Sequence, residues 1–385
     1  MINKNAIYPL SADPIHNGHL YNIETAVKMG LFDKIYVAIG NNTTKNALFN
    51  PEERIYLAKK AIAPLGLEND IIESFEGMLG HYAFERNAQV LIRGSRAGID
   101  FDYEQRMAEF NRKYGLTSLV IPSAKEVAYL SSTFLKEIVK SGGLVNNSTH
   151  PAAKQALEER LQKVSLIGVT GNMGAGKSYN CKELERRGAY AGLKIKHIDI
   201  DKKLHKLYRA DAPANPAVYE AMKKAFGEKV CRADRINREA LSQIMWGNPE
   251  ARARLSHILA VPFTVEFEKA IWEEEGIVLM DAAYFVEYSI LDWVNYNAIM
   301  VGCDEQERKR RVMSRDGIDL KEFNQKISAQ MPANKISQEI LKQQKAVGHG
   351  FYYEIDSQKP DYETILALLK KEFPLFKTTE KNKKR

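Results

Sequence analysis

Along the chain, short runs of consecutive apolar residues alternate with stretches whose apolar positions recur every three or four residues. Continuous apolar runs of this length predict strands buried on both faces, and the longer period predicts amphipathic helices. Strands are expected at residues 6–8, 34–39, 89–92 and 118–121, and again at 165–169, 195–200, 277–280 and 298–301. Helices are expected at 132–140, 152–162 and 361–372. One helix start is well marked at Asn50-Pro51-Glu52-Glu53, where a cap residue precedes a proline at the first helical position and a glutamate at the third. Strand and helix alternating in this way predict α/β halves built on parallel sheets. Ser141-Gly142-Gly143 and the polar Asn146-Asn147-Ser148-Thr149 interrupt the pattern before it restarts, and no internal repeat is visible. The expected domains are 1–160 and 164–376, followed by a disordered basic tail at 377–385.

Composition narrows the class. With 385 residues, 44% hydrophobic and 27% charged, the chain has enough apolar material for two cores without staples. No apolar run approaches the roughly 20 residues that span a bilayer, and the opening residues lack the apolar stretch of a secretory signal. Cys181, Cys231 and Cys303 have no metal-ligand spacing, which fits buried free thiols in a reducing cytoplasm. Of the net charge of +7, the last nine residues carry +4 (five bases, one acid). The basic pI near 9.0 is therefore a property of the tail more than of a nucleic-acid-binding surface. Small molecules, with no nucleic acid and no membrane, are the expected partners; a homo-oligomer is compatible with the sequence, which does not set the oligomeric state.

The first constellation begins at Tyr8, where YPLSADPIHNGH follows the first expected strand. Gly18 in His16-x-Gly18-His19 allows close approach of backbone to a phosphate, and the helix that starts there offers unpaired N–H groups and the positive end of its dipole. An imidazole at that point can stabilise charge that develops on a nucleotide α-phosphate. On its own the motif also reads as a surface histidine and a satisfied helix cap. Three further segments weigh against that: Lys45 ahead of Phe49-x-x-Glu52-Glu53-Arg54, LIRGSRAGIDFDYE at 91–104 with guanidiniums at Arg93 and Arg96, and LSSTFL at 130–135 with three hydroxyls opening a helix.

In order and spacing these segments resemble phosphopantetheine adenylyltransferase over about residues 4–160. The resemblance implies a Rossmann-like nucleotidyltransferase domain in which the phosphate of 4′-phosphopantetheine attacks the α-phosphorus of ATP with Mg²⁺, giving dephospho-coenzyme A and pyrophosphate. It implies that His19 stabilises the transition state, while Ser11, Lys45 and Arg93 hold the pantetheine phosphate and developing charge and Leu79 lines the pantetheine channel. Ser11, Ala12, His19, Gly94, Ser95, Arg96, Glu104 and the run Val127, Ala128, Tyr129, Leu130, Ser131, Ser132, Thr133 would hold ATP. The chain departs from the family pattern at Leu10-Ser11-Ala12, where Gly-Thr-Phe is usual, at Val127, often Trp, and at Ser-Ser-Thr in place of three serines. None of these changes removes a charged group.

The second constellation is sharper. The apolar SLIGV run enters Gly171-Asn172-Met173-Gly174-Ala175-Gly176-Lys177-Ser178, a G-x-x-x-x-G-K-S loop between a strand and a helical pattern. Backbone amides of Met173, Gly174, Ala175 and Gly176 would cradle phosphates, Lys177 reach the β/γ oxygens and Ser178 ligate Mg²⁺. The next strand ends in Asp199-Ile200-Asp201, two carboxylates on one side of an extended segment. Beside a P-loop, one can take a proton from a hydroxyl and the other help to organise Mg²⁺; away from one, they are an acidic loop.

The order of P-loop, D-x-D, Ile236-Asn237-Arg238-x-x-Leu241, Asn248-Pro249-Glu250, Phe285-Val286-Glu287, Arg311 and Arg315 resembles dephospho-CoA kinase over about 164–372. The resemblance implies a P-loop, nucleoside-monophosphate-kinase-like parallel-sheet domain with a helical substrate insertion near 205–265 and a lid near 304–345. In it Asp201 is the base on the ribose 3′-hydroxyl, Arg315 a lid contact to ATP, and Asp199 a Mg²⁺ partner of Ser178. Departures are more numerous here: Tyr179 after the P-loop serine, Val261-Pro262 for His-Pro, Ala283-Tyr284-Phe285 for Pro-Leu-Leu, and Gly348-His349-Gly350 where Ala-Asp is usual.

Together the halves suggest consecutive steps: adenylyl transfer to make dephospho-CoA, then ATP-dependent 3′-phosphorylation to CoA. Two rivals remain at this level. One is an adenylyltransferase–kinase fusion that acts on nicotinamide ribose compounds; the other is an active adenylyltransferase with a non-catalytic nucleotide-binding second half.

Overall fold

Every neighbouring pair of strands in both five-stranded sheets runs parallel. The computed structural model describes residues 4–41, 46–66, 71–95, 101–207, 215–245, 248–272, 274–283, 285–328 and 330–374; the tail 377–385 lies outside them. The chain forms two compact units. One takes in the chain up to Leu161 together with Gln344–Gly350, the other Gln162–Gln343 and the chain from Phe351 onward.

In chain order the first unit contains β1 (Asn5–Leu10), α1 (Asn17–Lys28), β2 (Lys34–Gly40), α2 (Pro51–Ile62), β3 (Ile72–Phe75), α3 (Leu79–Glu85), β4 (Ala88–Ser95), α4 (Phe101–Arg112), β5 (Thr117–Pro122), α5 (Ser132–Lys140) and α6 (Pro151–Leu161). Its sheet has the order β3-β2-β1-β4-β5, the doubly wound arrangement in which ligands bind beyond the strand C-termini where the winding reverses. Here that place is between β1 and β4. α2 starts as its sequence predicts: Asn50 Oδ1 accepts from the Glu53 amide and Glu53 Oε2 from the Asn50 amide, each at 2.9 Å. The apolar strands and α5 fill a core that includes Val37, Ile39, Ile92 and Leu135. β3, which no apolar run announces, has the sequence IESF and, among the described residues, pairs only with β2 at the edge of the sheet. Within this unit Gln344–Gly350 is held through its backbone and one ring: His150 Nε2 lies 2.7 Å from Val347 O, Lys60 Nζ donates to Gly348 O at 3.0 Å, and His349 Nε2 is 3.0 Å from Gln155 Oε1.

The second unit contains β6 (Val164–Thr170), α7 (Lys177–Tyr190), β7 (Ile195–Asp199), α8 (Ile200–Leu207), α9 (Pro216–Phe226), the ribbon β8 (Cys231–Arg232) and β9 (Arg235–Ile236), α10 (Arg238–Met245), α11 (Pro249–Trp272), β10 (Gly276–Asp281), β11 (Ala298–Gly302), α12 (Glu305–Asp316), α13 (Leu320–Ser328), α14 (Ala333–Val347) as far as Gln343, β12 (Tyr352–Asp356) and α15 (Tyr362–Glu372). The sheet order β12-β11-β6-β10-β7 puts β6, buried at every position, in the middle. Register then aligns Val169 and Asp199 on either side of Asp281, so one P-loop and two strand-end carboxylates share one rim. The helices between β7 and β10 enclose a small core of their own, around Val218, Met222, Val230, Ile236 and Leu241.

Candidate active sites

In the first unit a cavity of about 450 Å³ opens beyond β1 and β4, lined among others by Ser11, His16, Gly18, His19, Arg93 and Gly94. Two helices aim their N-termini at it. α1 has no acidic residue in its first turn, so its dipole is left for an anion. Its cap is a pair of histidines: His16 Nδ1 accepts from the Gly18 amide at 3.1 Å, and His19 Nδ1 from the His16 amide at 3.2 Å. The rings stack with centroids 3.7 Å apart. With Nδ1 engaged as an acceptor, a neutral His19 carries its proton on Nε2, as a donor. The second helix is α5, capped by Ser131 Oγ, which accepts from the Phe134 amide at 3.0 Å; Ser132 Oγ donates to Pro14 O at 2.8 Å. A side chain at Gly94 would put its Cβ 2.1 Å from Asn22 Nδ2, so glycine here leaves the buried Asn22 side chain its place against β4.

Of the expected residues, Ser11, His19, Arg93, Gly94, Val127, Leu130, Ser131, Ser132 and Thr133 line this cavity. Ala12, Ser95, Leu79, Ala128 and Tyr129 are not among the lining residues: Ala12 is fully buried at φ 48°, Leu79 heads α3 and packs in the Leu91 cluster, and Tyr129 lies edge-on to Phe134. Lys45, Arg96 and the Glu104 side chain lie outside what the structure describes.

In the second unit the loop from Gly171 bends through left-handed glycines into α7. Lys177 Nζ donates to Gly171 O at 3.0 Å, and Ser178 Oγ donates to Asp281 Oδ2. Burial pushes the Asp281 carboxyl up, but His197, Lys177 and Ser178 outweigh it and hold the group below the usual carboxylate range. Asp201 is different. Burial is its largest influence, the negative Asp281 adds to it, and Lys177 offsets only part, so its pKa rises to about 6. Its Oδ2 lies 3.4 Å from the Ala283 amide. Asp199, expected at the metal, is used elsewhere: Oδ1 accepts from the Lys202 amide at 2.9 Å and Oδ2 pairs with Lys202 Nζ at 2.7 Å. Arg315 is exposed and paired with Asp316 at 2.6 Å. Two other α12 arginines reach the P-loop: Arg308 Nε donates to Met173 O at 3.2 Å, and Arg311 Nη1 to Ala175 O at 3.5 Å and Ser357 Oγ at 3.1 Å.

Curated relatives share the first unit at high coverage. A phosphopantetheine adenylyltransferase of Buchnera aphidicola is 41% identical over 167 residues, 43% of this chain and 99% of its own. Those of Streptomyces coelicolor and Geotalea daltonii are 40% and 38% identical, covering 41% and 42% of this chain and 98% of each relative. The chain belongs to the phosphopantetheine adenylyltransferase family. Residues 7–138 match the cytidylyltransferase-like family profile, and residues 165–341 match that of dephospho-CoA kinase. The two units are thus an adenylyltransferase half and a dephospho-CoA kinase half.

Each half has a buried carboxylate that sequence reasoning passed over. In the adenylyltransferase half Asp13 accepts from the Leu48 and Phe49 amides at 3.0 and 2.9 Å and from Lys136 Nζ at 2.8 Å, clamping the segment that follows the Lys45 loop. Burial raises its pKa, but Lys136 and the two amides more than reverse this and hold it low. In the kinase half the missed group is Asp281, although a run of apolar residues ending in aspartate beside a P-loop strand is legible in IVLMD. Ser178 hydroxyl and Asp281 carboxylate make a pair of hard oxygen donors in direct contact, a set that fits Mg²⁺. Asp199, tied to Lys202, does not contribute to it.

Proposed function

We propose that this chain carries out the last two steps of coenzyme A synthesis, with residues 1–160 transferring adenylyl and residues 164–376 phosphorylating the product. The observation that carries the reading is the pairing of an adenylyltransferase half with a dephospho-CoA kinase half, because the product of the first reaction is the substrate of the second. Among the described residues, no feature of either site favours nicotinamide ribose compounds. An ATP-consuming enzyme with free cysteines suits the reducing cytoplasm.

In the first step the ionised phosphate of 4′-phosphopantetheine attacks the α-phosphorus of ATP, the α–β bridging bond breaks, and pyrophosphate leaves. The nucleophile is already anionic, so catalysis reduces to alignment and charge stabilisation. His19 Nε2–H donates to the α-phosphoryl oxygen as charge builds, the N-termini of α1 and α5 supply fixed positive potential, and Lys45, Arg93 and Ser11 hold the incoming phosphate. Gly94, Ser95, Arg96, Glu104 and the 127–133 run would hold the rest of ATP.

In the second step the ribose 3′-hydroxyl of dephospho-CoA attacks the γ-phosphorus of ATP and ADP leaves. Asp201 takes the hydroxyl proton; a pKa near 6 leaves it ionised at neutral pH yet more basic than an ordinary aspartate. Lys177 and the P-loop amides hold the phosphates, and Ser178 with Asp281 would hold Mg²⁺, which would supply charge neutralisation to the transferring phosphates. Arg311 meets the P-loop directly and is better placed than Arg315 to brace this site.

The test is incubation with Mg-ATP and either 4′-phosphopantetheine or nicotinamide mononucleotide, followed by product mass spectrometry. Coenzyme A formed from the first substrate alone supports the reading. Product from the second overturns it, and dephospho-CoA without coenzyme A leaves the kinase half non-catalytic.

A further inference from the structure

The P-loop apex is held from outside the loop by a segment that the two reactions above do not use. Gln330 Oε1 accepts from the Met173 amide at 3.0 Å, and Asn172 Nδ2 donates to Met331 O at 2.9 Å. Because its partner is a backbone N–H, the Gln330 carboxamide must present oxygen to the P-loop, which fixes which way its NH₂ points. On the other side of the same segment the Glu287 carboxylate accepts from the Met331 amide. The Met173 backbone is held at both its N–H and its C=O, since its carbonyl accepts from Arg308 Nε at 3.2 Å. Asn172 is buried, at 5% exposure, and a Cβ at Gly174 would meet Val312 of α12 at 2.5 Å, so the apex has no room to swing.

Resting on the kinase reading, we propose that Gln330, seated by Asn172, is a positioning residue for phosphoryl transfer. It sets the Met173 peptide so that the remaining P-loop amides converge on the nucleotide. On the kinase reading, amides next to the start of α7 would face the inner phosphates, whereas Met173, four residues before Lys177, would lie nearer the terminal phosphoryl. Gln330 touches no reacting atom; it acts through the peptide it holds. The same bonds tie the segment after α13 to the nucleotide site, so the stretch between α13 and α14 has one preferred seat against the P-loop.

The experiment compares the whole chain with Gln330→Met, a side chain of similar length that cannot accept the hydrogen bond. Kinase kcat should fall about tenfold, the scale of one lost hydrogen bond of about 1.4 kcal/mol. Affinity for ADP should stay within about twofold, because its phosphates rest on amides that Gln330 does not hold. Adenylyl transfer by the same molecules should be unchanged and serves as an internal check of folding and concentration. Asn172→Ser should act in the same direction and add little when combined with Gln330→Met. If Gln330→Met lowers the melting temperature of the kinase half, Asn172→Ser carries the test instead. An unchanged kcat, or a fall in ADP affinity parallel to that in kcat, overturns the positioning role. If the unaltered chain does not phosphorylate dephospho-CoA at all, it is the kinase reading that fails, and the inference goes with it.

Discussion

The two halves meet phosphate with opposite chemical equipment. Among the described residues, the cavity of the adenylyltransferase half is lined by no carboxylate; it offers two imidazoles, a guanidinium, hydroxyls and two helix N-termini. The kinase site has one P-loop and two carboxylates, the half-buried Asp201 and the buried Asp281, whose pKa values are shifted in opposite directions. The nucleophiles account for the difference. A phosphate monoester arrives ionised and needs no base, whereas a ribose hydroxyl must lose its proton as its bond to phosphorus forms. One parallel-sheet architecture serves both, because the strand C-termini present whatever side chains the attacking group requires.

That contrast can be broken most forcefully at Lys177. Lys177→Ala should lower conversion of dephospho-CoA to coenzyme A by about 10³-fold, losing a charge fixed on the β/γ-phosphates, while pyrophosphate release with 4′-phosphopantetheine is untouched. Loss of both activities in a folded variant would mean that the halves do not work separately. Asp201→Asn should lower the kinase rate on the order of 10²-fold or more with ATP affinity little changed. In the unaltered enzyme that rate should rise with pH as Asp201 loses its proton near 6, and the Asn variant should lack that limb. A variant with full activity would return the base role to another group.

His19→Ala should slow adenylyl transfer by about 10²-fold, the effect of one lost transition-state donor, with 4′-phosphopantetheine binding nearly unchanged. Steady-state kinetics of dephospho-CoA formation decide it, and equal turnover would remove His19 from the mechanism. Asp13→Ala sharpens the comparison from the structural side. It leaves Lys136 and two amides unpaired in a site where Asp13 is 7% exposed, and should cost about 3 kcal/mol of stability in the adenylyltransferase half. Calorimetry with the kinase half as reference measures it, and the KM for 4′-phosphopantetheine should rise as the Lys45 loop loses its clamp.

The smallest effect concerns His349. Burial, then the neighbouring His150, Lys60 and Lys154, depress its pKa to about 3, while the unfolded chain binds a proton near 6.5. Between those values the unfolded state holds more protons, so stability contributed here is present above about pH 6.5 and is lost as pH falls towards 3. His349→Asn should flatten the decline in melting temperature between pH 7 and 5, and an identical decline would exclude this histidine as its source.

Strand positions with continuous apolar runs, the Asn50 cap, the helix at 132–140 and the P-loop were all legible, because each depends on residues close together in the chain. The edge strands β3 and β12 were not: IESF and YYEID are half polar, and only pairing with β2 and β11 makes them strands. Among the site residues, His19, Arg93, Lys177 and Asp201 were named from local motifs. Asp199 and Arg315 were named from their motifs, but the nearest charged partner along the chain, Lys202 or Asp316, holds each of them, while Asp281 meets Ser178 and Arg311 reaches the P-loop backbone.

The amino-acid order by itself determined that this is a pair of α/β halves with an H-x-G-H junction and a P-loop, because strand burial, helix capping and glycine loops are written within a few residues. Which carboxylate faces the P-loop serine, which arginine reaches its backbone, and that Asp13 and Lys136, 123 positions apart, clamp one segment were decided only by the sheets. Parallel register sets Asp281 beside Asp199; against its burial, His197, Lys177 and Ser178 then hold the Asp281 carboxyl low, while burial raises that of Asp201. Desolvation depends on what the rest of the chain packs around a group, and no local stretch of sequence contains that information.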